Sequence, residues 1–192
     1  MVAVNGVDGM DERALIGAAQ AGNEAAFAQL FDTYHGPITG YLYRMVGDRD
    51  VADDLAQDTF VKAYRALGRT DPGLNFRAWL YRIATNTALS YLRRQRLLRW
   101  LPFGPGVPEP SGEPRLAERL GERELIEAAL QRINRGYASA LLLRHHQGLS
   151  LAEVADTLGI SVNGAKVRLF RARKAFVEAY ETLSGESKEH PS

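Results

Sequence analysis

Residues 148–174 read GLSLAEVADTLGISVNGAKVRLFRARK, and this stretch decides the fold of the chain's second half. Ser150 and Glu153 have the S-x-x-E spacing of a capping box, and Leu151, Val154, Ala155 and Leu158 follow at i, i+3, i+4 and i+7, the period of one buried helical face. Gly159 closes that helix. Ile160 and Ser161 supply a short turn and a second N-cap, after which Val162, Ala165, Leu169, Ala172 and Phe176 form the apolar stripe of a further helix. Lys166, Arg168, Arg171 and Arg173 lie off that stripe, with no acidic residue between Val162 and Val177 to neutralise them. A basic helix face can be no more than a solvated surface. Two capped helices across a glycine turn, however, make a helix-turn-helix, whose second helix suits the major groove, where Arg grips phosphates or the guanine edge.

The remaining composition narrows the classes. The chain has 192 residues, 45% hydrophobic and 24% charged, which fits one or two soluble domains with real cores. Cysteine is absent, so disulfides, thiolate zinc sites and cysteine nucleophiles are excluded, and a reducing cytoplasm is the expected location. Residues 1–10 lack the basic start and apolar core of a signal peptide, and no apolar run approaches the roughly 20 residues of a membrane span. Net charge is only +1, so it is the distribution of charge that informs. Asp48, Asp50, Asp53, Asp54 and Asp58 crowd one segment, whereas Arg77, Arg82, Arg93, Arg94, Arg96 and Arg99 occupy a later one without acids. Opposite blocks imply two different partners.

Helical periodicity dominates, predicting an all-α protein of two small helical domains joined by a Pro/Gly-rich linker. The expected divisions are a flexible tail over 1–10, a first domain over 11–98, a linker over 99–115, a second domain over 116–183 and a flexible tail over 184–192. Helices are expected after Asp11 and after Asn23, the latter interrupted at Gly36 and Pro37 and resumed by Ile38, Tyr41, Leu42 and Met45. Others are expected to about Leu67, from about Phe76 to Leu97, across Leu125, Ile126, Ala129, Leu130 and Ile133, and from Gly136 to Gln147. Between these halves, LPFGPGVPEPSGEP carries Pro102, Pro105, Pro108, Pro110 and Pro114, a composition that forbids helix and favours an extended path.

On the helix predicted over 51–67, Ala52, Leu55, Ala56, Thr59, Ala63 and Leu67 form the core stripe. Asp53, Gln57, Phe60 and Tyr64 fall on another face, flanked by Asp54 and Asp58. Exposed aromatics among carboxylates make a partner surface, the rings supplying burial and the acids selecting a basic counterpart. The alternative is a solvated acidic face with Phe60 covered by a neighbouring helix. A metal or carboxylate-pair reading is weaker, since no His or third ligand keeps register. The segment FRAWLYRIATNTALSYLRRQR, 76–96, mixes Phe76, Trp79 and Tyr81 with arginines, Asn86 and Thr87. Such a mixture suits unpaired bases, each stacked ring contributing about 1–3 kcal/mol, although Trp79, Leu80 and Ile83 equally suit a core.

Taken together, DDLAQDTFVKAY, FRAWLYRIATNTALSYLRR, the Pro-rich linker and LSLAEVADTLGISVNGAKVRLFRARK resemble an extracytoplasmic-function sigma factor of the sigma-70 family, over about residues 24–176. The resemblance implies a dissociable subunit that makes core RNA polymerase promoter-specific, without catalytic residues, metal or cofactor of its own. It implies that Asp53, Asp54, Gln57, Asp58, Phe60 and Tyr64 dock on the clamp helices of the polymerase's largest subunit. The second-largest subunit's flap is a further implied contact. By the same resemblance, the loop 70–75 and the following helix melt the minus-10 element and hold a flipped base, using Asn75, Arg77, Trp79, Arg82, Asn86 and Arg93. Ser161, Asn163, Gly164, Lys166, Arg168, Phe170, Arg171 and Arg173 would read the minus-35 duplex, and an anti-sigma factor would hold the protein inactive. The chain departs from the family at Ile133 and Asn134, where Leu-Pro is common, and in the proline content of its linker. No appended C-terminal domain is expected to regulate it. Two rivals compete. An operator-binding repressor explains residues 150–174 but not the acidic face, and a metalloenzyme fails because adjacent His145 and His146 diverge by roughly 100° on a helix.

Overall fold

The computed structural model describes residues 9–99 and 121–185. Among them are eight α-helices and no strand: α1 Gly9–Gln20, α2 Glu24–Val46, α3 Arg49–Leu67, α4 Phe76–Arg99, α5 Glu122–Arg132, α6 Arg135–Leu141, α7 Leu151–Leu158 and α8 Val162–Ser184. A single π turn, Leu142–His146, extends α6. Most of the expected linker and of both expected tails falls outside the described residues, but α1 begins at Gly9, α4 reaches Arg99 and α8 runs to Ser184, each inside a stretch read as tail or linker.

Local chemistry sets most helix ends. Asn23 Oδ1 accepts from the Ala26 amide at 3.0 Å, and Asp48 Oδ1 accepts from the Val51 amide at 3.1 Å, so each carboxamide or carboxylate satisfies one orphan donor of a first turn. Gly47 separates α2 from α3 at φ 82°, a left-handed conformation that L side chains rarely adopt. Asn134, the departure from the family pattern, caps α6 by accepting from the Gly136 amide at 2.8 Å. The missing proline is thus replaced by an N-cap, and the helix start survives.

One expected break is absent. The helix after Asn23 runs through Gly36 and Pro37 to Val46 without interruption. An internal proline costs about 3 kcal/mol. Against it, Leu30, Tyr34, Ile38, Tyr41, Leu42 and Met45 are all buried along one face, and each fully buried side chain of this size contributes about 1.5–3 kcal/mol. Burial on both sides of Pro37 outweighs the local penalty.

The first bundle packs α2 against α1, α3 and α4 around Tyr41 and Tyr81, whose rings meet edge to face at 5.3 Å. Thr85 donates its hydroxyl hydrogen to the Tyr81 carbonyl at 2.7 Å, so the fully buried Tyr41 hydroxyl donates to Thr85 Oγ1 at 2.8 Å. Burial pushes the Tyr41 phenol up, and it stays neutral. The second bundle wraps α5, α6 and α7 around α8, burying Ala165, Leu169 and Ala172. Val162, expected on that stripe, is instead 50% exposed. Ile126 of α5 is likewise exposed.

The two bundles do not stand apart. α7 lies along α4 and α5 lies on α2, so one continuous set of buried residues runs from Ile16 to Ala172.

Candidate nucleic-acid interface

The helix-turn-helix forms as its sequence requires. Ser150 Oγ accepts from the Glu153 amide at 3.2 Å, while the Ser150 amide donates to Glu153 Oε2 at 2.7 Å. Gly159 adopts φ 63° at the end of α7, and Ser161 Oγ accepts from the Gly164 amide at 3.0 Å. A Cβ on residue 164 would lie 3.2 Å from that same Oγ, so glycine lets the cap close. Replacing Ser150 by Ala removes one half of the box. The expected cost is about 1 kcal/mol of stability, measurable by urea denaturation.

On α8, Asn163, Lys166, Arg171 and Arg173 are exposed and Arg168 is partly so, while Phe170 is 71% exposed. A phenyl ring that open on a cationic face is unusual and suits contact with a thymine methyl or sugar. Arg173 reaches back to His145 Nε2 at 3.2 Å. Burial, with Arg173 and Arg144 nearby, pulls the His145 imidazole below its usual value.

On α3, Asp53, Asp54, Gln57 and Asp58 are exposed, and Tyr64 is 50% exposed. Phe60 is not among them. It is 4% exposed, with its ring 4.7 Å from Phe31 of α2, so the reading of Phe60 as a surface aromatic is corrected: the neighbouring helix covers it. The apolar part of the outer face comes instead from Tyr64, braced edge-on by Phe27 at 5.0 Å, and from Val61 at 47% exposure. Val61 was legible in principle, since it stands three residues from both Asp58 and Tyr64 and off the core stripe.

The remaining candidates sit on α4 and the loop before it. Asn86 and Arg93 are exposed, whereas Trp79 is half-buried with its ring 5.7 Å from that of Phe76. Asn75 caps α4, its Oδ1 accepting from the Ala78 amide at 3.0 Å. A cleft of about 690 Å³ opens beside it, lined among others by Glu12, Arg13, Tyr34, Asn75, Phe76 and Arg77, within the range that holds small ligands. Tyr34 donates to Glu12 in its wall, and burial together with that carboxylate holds its phenol up.

Three of these side chains are engaged by the second bundle. Asn75 Nδ2 donates to Glu153 Oε1 at 2.8 Å, Arg77 donates to the Gln147 carbonyl, and Arg82 pairs with Asp156 at 3.9 Å. Gln147 also accepts from the Tyr81 hydroxyl through its side chain. Nothing in the sequence marks Gln147, Glu153 or Asp156 as partners of α4. For Glu153, burial raises the carboxyl while bonds from Ser150 and Asn75 outweigh it, leaving the group below its ordinary range. A carboxyl depressed on folding contributes stability above its unfolded value and loses it as pH falls through the folded one. Acidification below the ordinary carboxylate range is therefore expected to loosen α7 and its contact with α4, seen as faster amide exchange there.

The chain matches the sigma-70 region 2 family over residues 30–97 and the sigma-70 region 4 family over residues 123–176. It is 34% identical over 189 residues to the RNA polymerase sigma-H factor of Pseudomonas aeruginosa, spanning 92% of this chain and 97% of that one. It is 36% identical over 176 residues to the RNA polymerase sigma factor CnrH of Cupriavidus metallidurans, covering 84% of this chain and 90% of CnrH. The structure of CnrH in complex with the cytosolic domain of CnrY is similar with a TM-score of 0.64 at 29% identity, over 88% of this chain and 96% of that one.

Proposed function

Because the chain belongs to the sigma-70 family, among its extracytoplasmic-function sigma factors, we propose that it binds core RNA polymerase through α3 and carries it to promoters read by α8 and α4. The observation that carries this reading is the separation of the two charged surfaces. The acids of α3 and the cations of α8 are both exposed, on different bundles, so a basic protein partner and DNA can be held at once.

Each surface has a stated task. Asp53, Asp54, Gln57, Asp58 and Tyr64, joined by Val61, meet the clamp helices of the largest subunit. Lys166, Arg168, Phe170, Arg171 and Arg173 enter the minus-35 major groove, with the N-terminal turn of α8, Ser161 to Gly164, toward a phosphate. Arg77, Arg82, Asn86 and Arg93 hold the minus-10 strand, and the cleft beside Asn75 receives the unstacked base. Unstacking costs a few kcal/mol per step, which pocket contacts and stacking offset. The protein supplies binding energy rather than a catalytic group, and it works in the cytoplasm where polymerase works. CnrH was solved with the cytosolic domain of CnrY, and we assign the present chain a comparable inhibitory partner.

The test is transcription from purified parts. Core polymerase plus this chain is expected to start transcripts from genomic DNA at sites sharing one upstream and one downstream motif. Starts scattered as with core polymerase alone would remove the assignment.

A further inference from the structure

Resting on the reading of the loop 70–75 and α4 as the minus-10 site, we propose that Gln20, the last residue of α1, is a positioning residue for that site. Its side-chain amide holds the loop in the form in which the cleft beside Asn75 receives an unstacked base. Gln20 Nε2 donates to Thr70 Oγ1 at 2.8 Å and to the Asp71 carbonyl at 3.0 Å, with the Thr70 carbonyl at a longer 3.4 Å. These partners fix which way the carboxamide points. Two of them are carbonyls, and the Thr70 hydroxyl spends its hydrogen on the Leu67 carbonyl at 2.6 Å, so all can only accept and only the NH2 end can face them.

The loop's own contacts hold it weakly. Asp71, Pro72 and Gly73 are exposed and Leu74 is only partly buried. A turn bond from the Leu74 amide to the Asp71 carbonyl, at 3.0 Å, closes the loop before Asn75 caps α4. The Asp71 carbonyl thus accepts the turn's own bond and the bond from Gln20, so the clamp acts on the turn itself. Gln20 stands on a fixed base, since Ile16 and Ala19 of the same helix are buried in the core shared with α2. Gly68 permits the close approach of α3 to α1: a Cβ there would lie 3.2 Å from the Gln20 carbonyl. Glu12, Arg13 and Ile16 of α1 line the same cleft as Pro72, Gly73 and Leu74 of the loop, whereas Gln20 is not among the lining residues. One helix therefore walls the cleft and pins the loop that shapes it, and Gln20 acts through the loop rather than on the base. Ordering the loop before the strand arrives lowers the cost of binding, and an unclamped loop would be competent for only a fraction of the time.

The test uses the full chain, free and assembled with core polymerase. Gln20→Met keeps the side chain's length and loses its donors, and Gln20→Lys supplies donors again. In the free chain, hydrogen exchange at the Leu74 amide is expected to be about tenfold faster in Gln20→Met and within about twofold of the unaltered rate in Gln20→Lys, with amides in the middle of α2 unchanged. With core polymerase on a supercoiled promoter taken from the transcript mapping, permanganate-reactive thymines should form about tenfold more slowly with Gln20→Met and be restored by Gln20→Lys. Affinities for core polymerase and for promoter duplex should stay as in the unaltered chain.

Unchanged exchange at Leu74 in Gln20→Met would overturn the clamp. Faster exchange with unchanged strand opening would overturn its link to the site, and a loss that Gln20→Lys shares would show that the donors are not the cause. Asn86→Ala in the same promoter assay tests the underlying reading separately. If opening survives that change, the assignment of α4 fails; if Asn86→Ala blocks opening and Gln20→Met does not, the positioning role alone fails.

Discussion

Asp58→Arg is expected to abolish most of the chain's affinity for core RNA polymerase while leaving promoter duplex binding unchanged. Asp58 is exposed near the centre of the acidic face, with Asp54 one turn before it and Val61 one turn after. Charge reversal does more than remove an attraction, since it sets a cation against the basic surface that the acids select. Like-charge juxtaposition at an interface costs several kcal/mol, and about 3 kcal/mol is roughly a hundredfold in Kd. The fold should tolerate the change, because the side chain points to solvent and the α3 core stripe lies opposite. Fluorescence anisotropy with labelled chain and sigma-free core polymerase gives the affinity, and circular dichroism checks the fold. A variant that still binds core polymerase within twofold or so would place the docking surface elsewhere.

Arg171→Ala is expected to produce the complementary loss. Arg171 is exposed on α8, one residue after the open Phe170 ring and with no carboxylate paired to it among the described residues. A guanidinium placed to grip a guanine edge contributes about 1–3 kcal/mol of discrimination. If it instead holds a phosphate, binding weakens on all sequences and the salt dependence falls by about one counterion. Titrating promoter and random duplex at several salt concentrations separates these outcomes. Core polymerase affinity should stay as in the unaltered chain, and a loss there would show that the two surfaces are not independent.

What the sequence reveals follows the range of the forces involved. The helix-turn-helix was legible to within a residue because Ser150, Glu153 and Ser161 accept from amides three positions away and the Gly159 amide donates to carbonyls three and four positions back, and the structure uses each as a cap. The acidic and basic faces were legible for the same reason, since helical period alone separates Asp58 from Leu55 and Arg171 from Leu169. Phe60 was not, because its burial depends on Phe31, a partner on another helix. Pro37 misled for a related reason: its local penalty is real, yet long-range burial of Ile38 and Tyr41 overrides it. The contact of α7 with α4 left no sequence signal at all. Gln147 and Asp156 read as ordinary polar residues, and Glu153 as a cap alone, until the chain folds back to bring them beside Tyr81, Arg82 and Asn75.

That this chain is a polymerase subunit is tested most directly by the affinity of the purified full chain for sigma-free core RNA polymerase. Binding is expected to be saturable, one to one, and displaced by a known sigma factor. A folded chain that binds promoter or operator duplex but shows no affinity for core polymerase would contradict it and leave an operator-binding protein in its place.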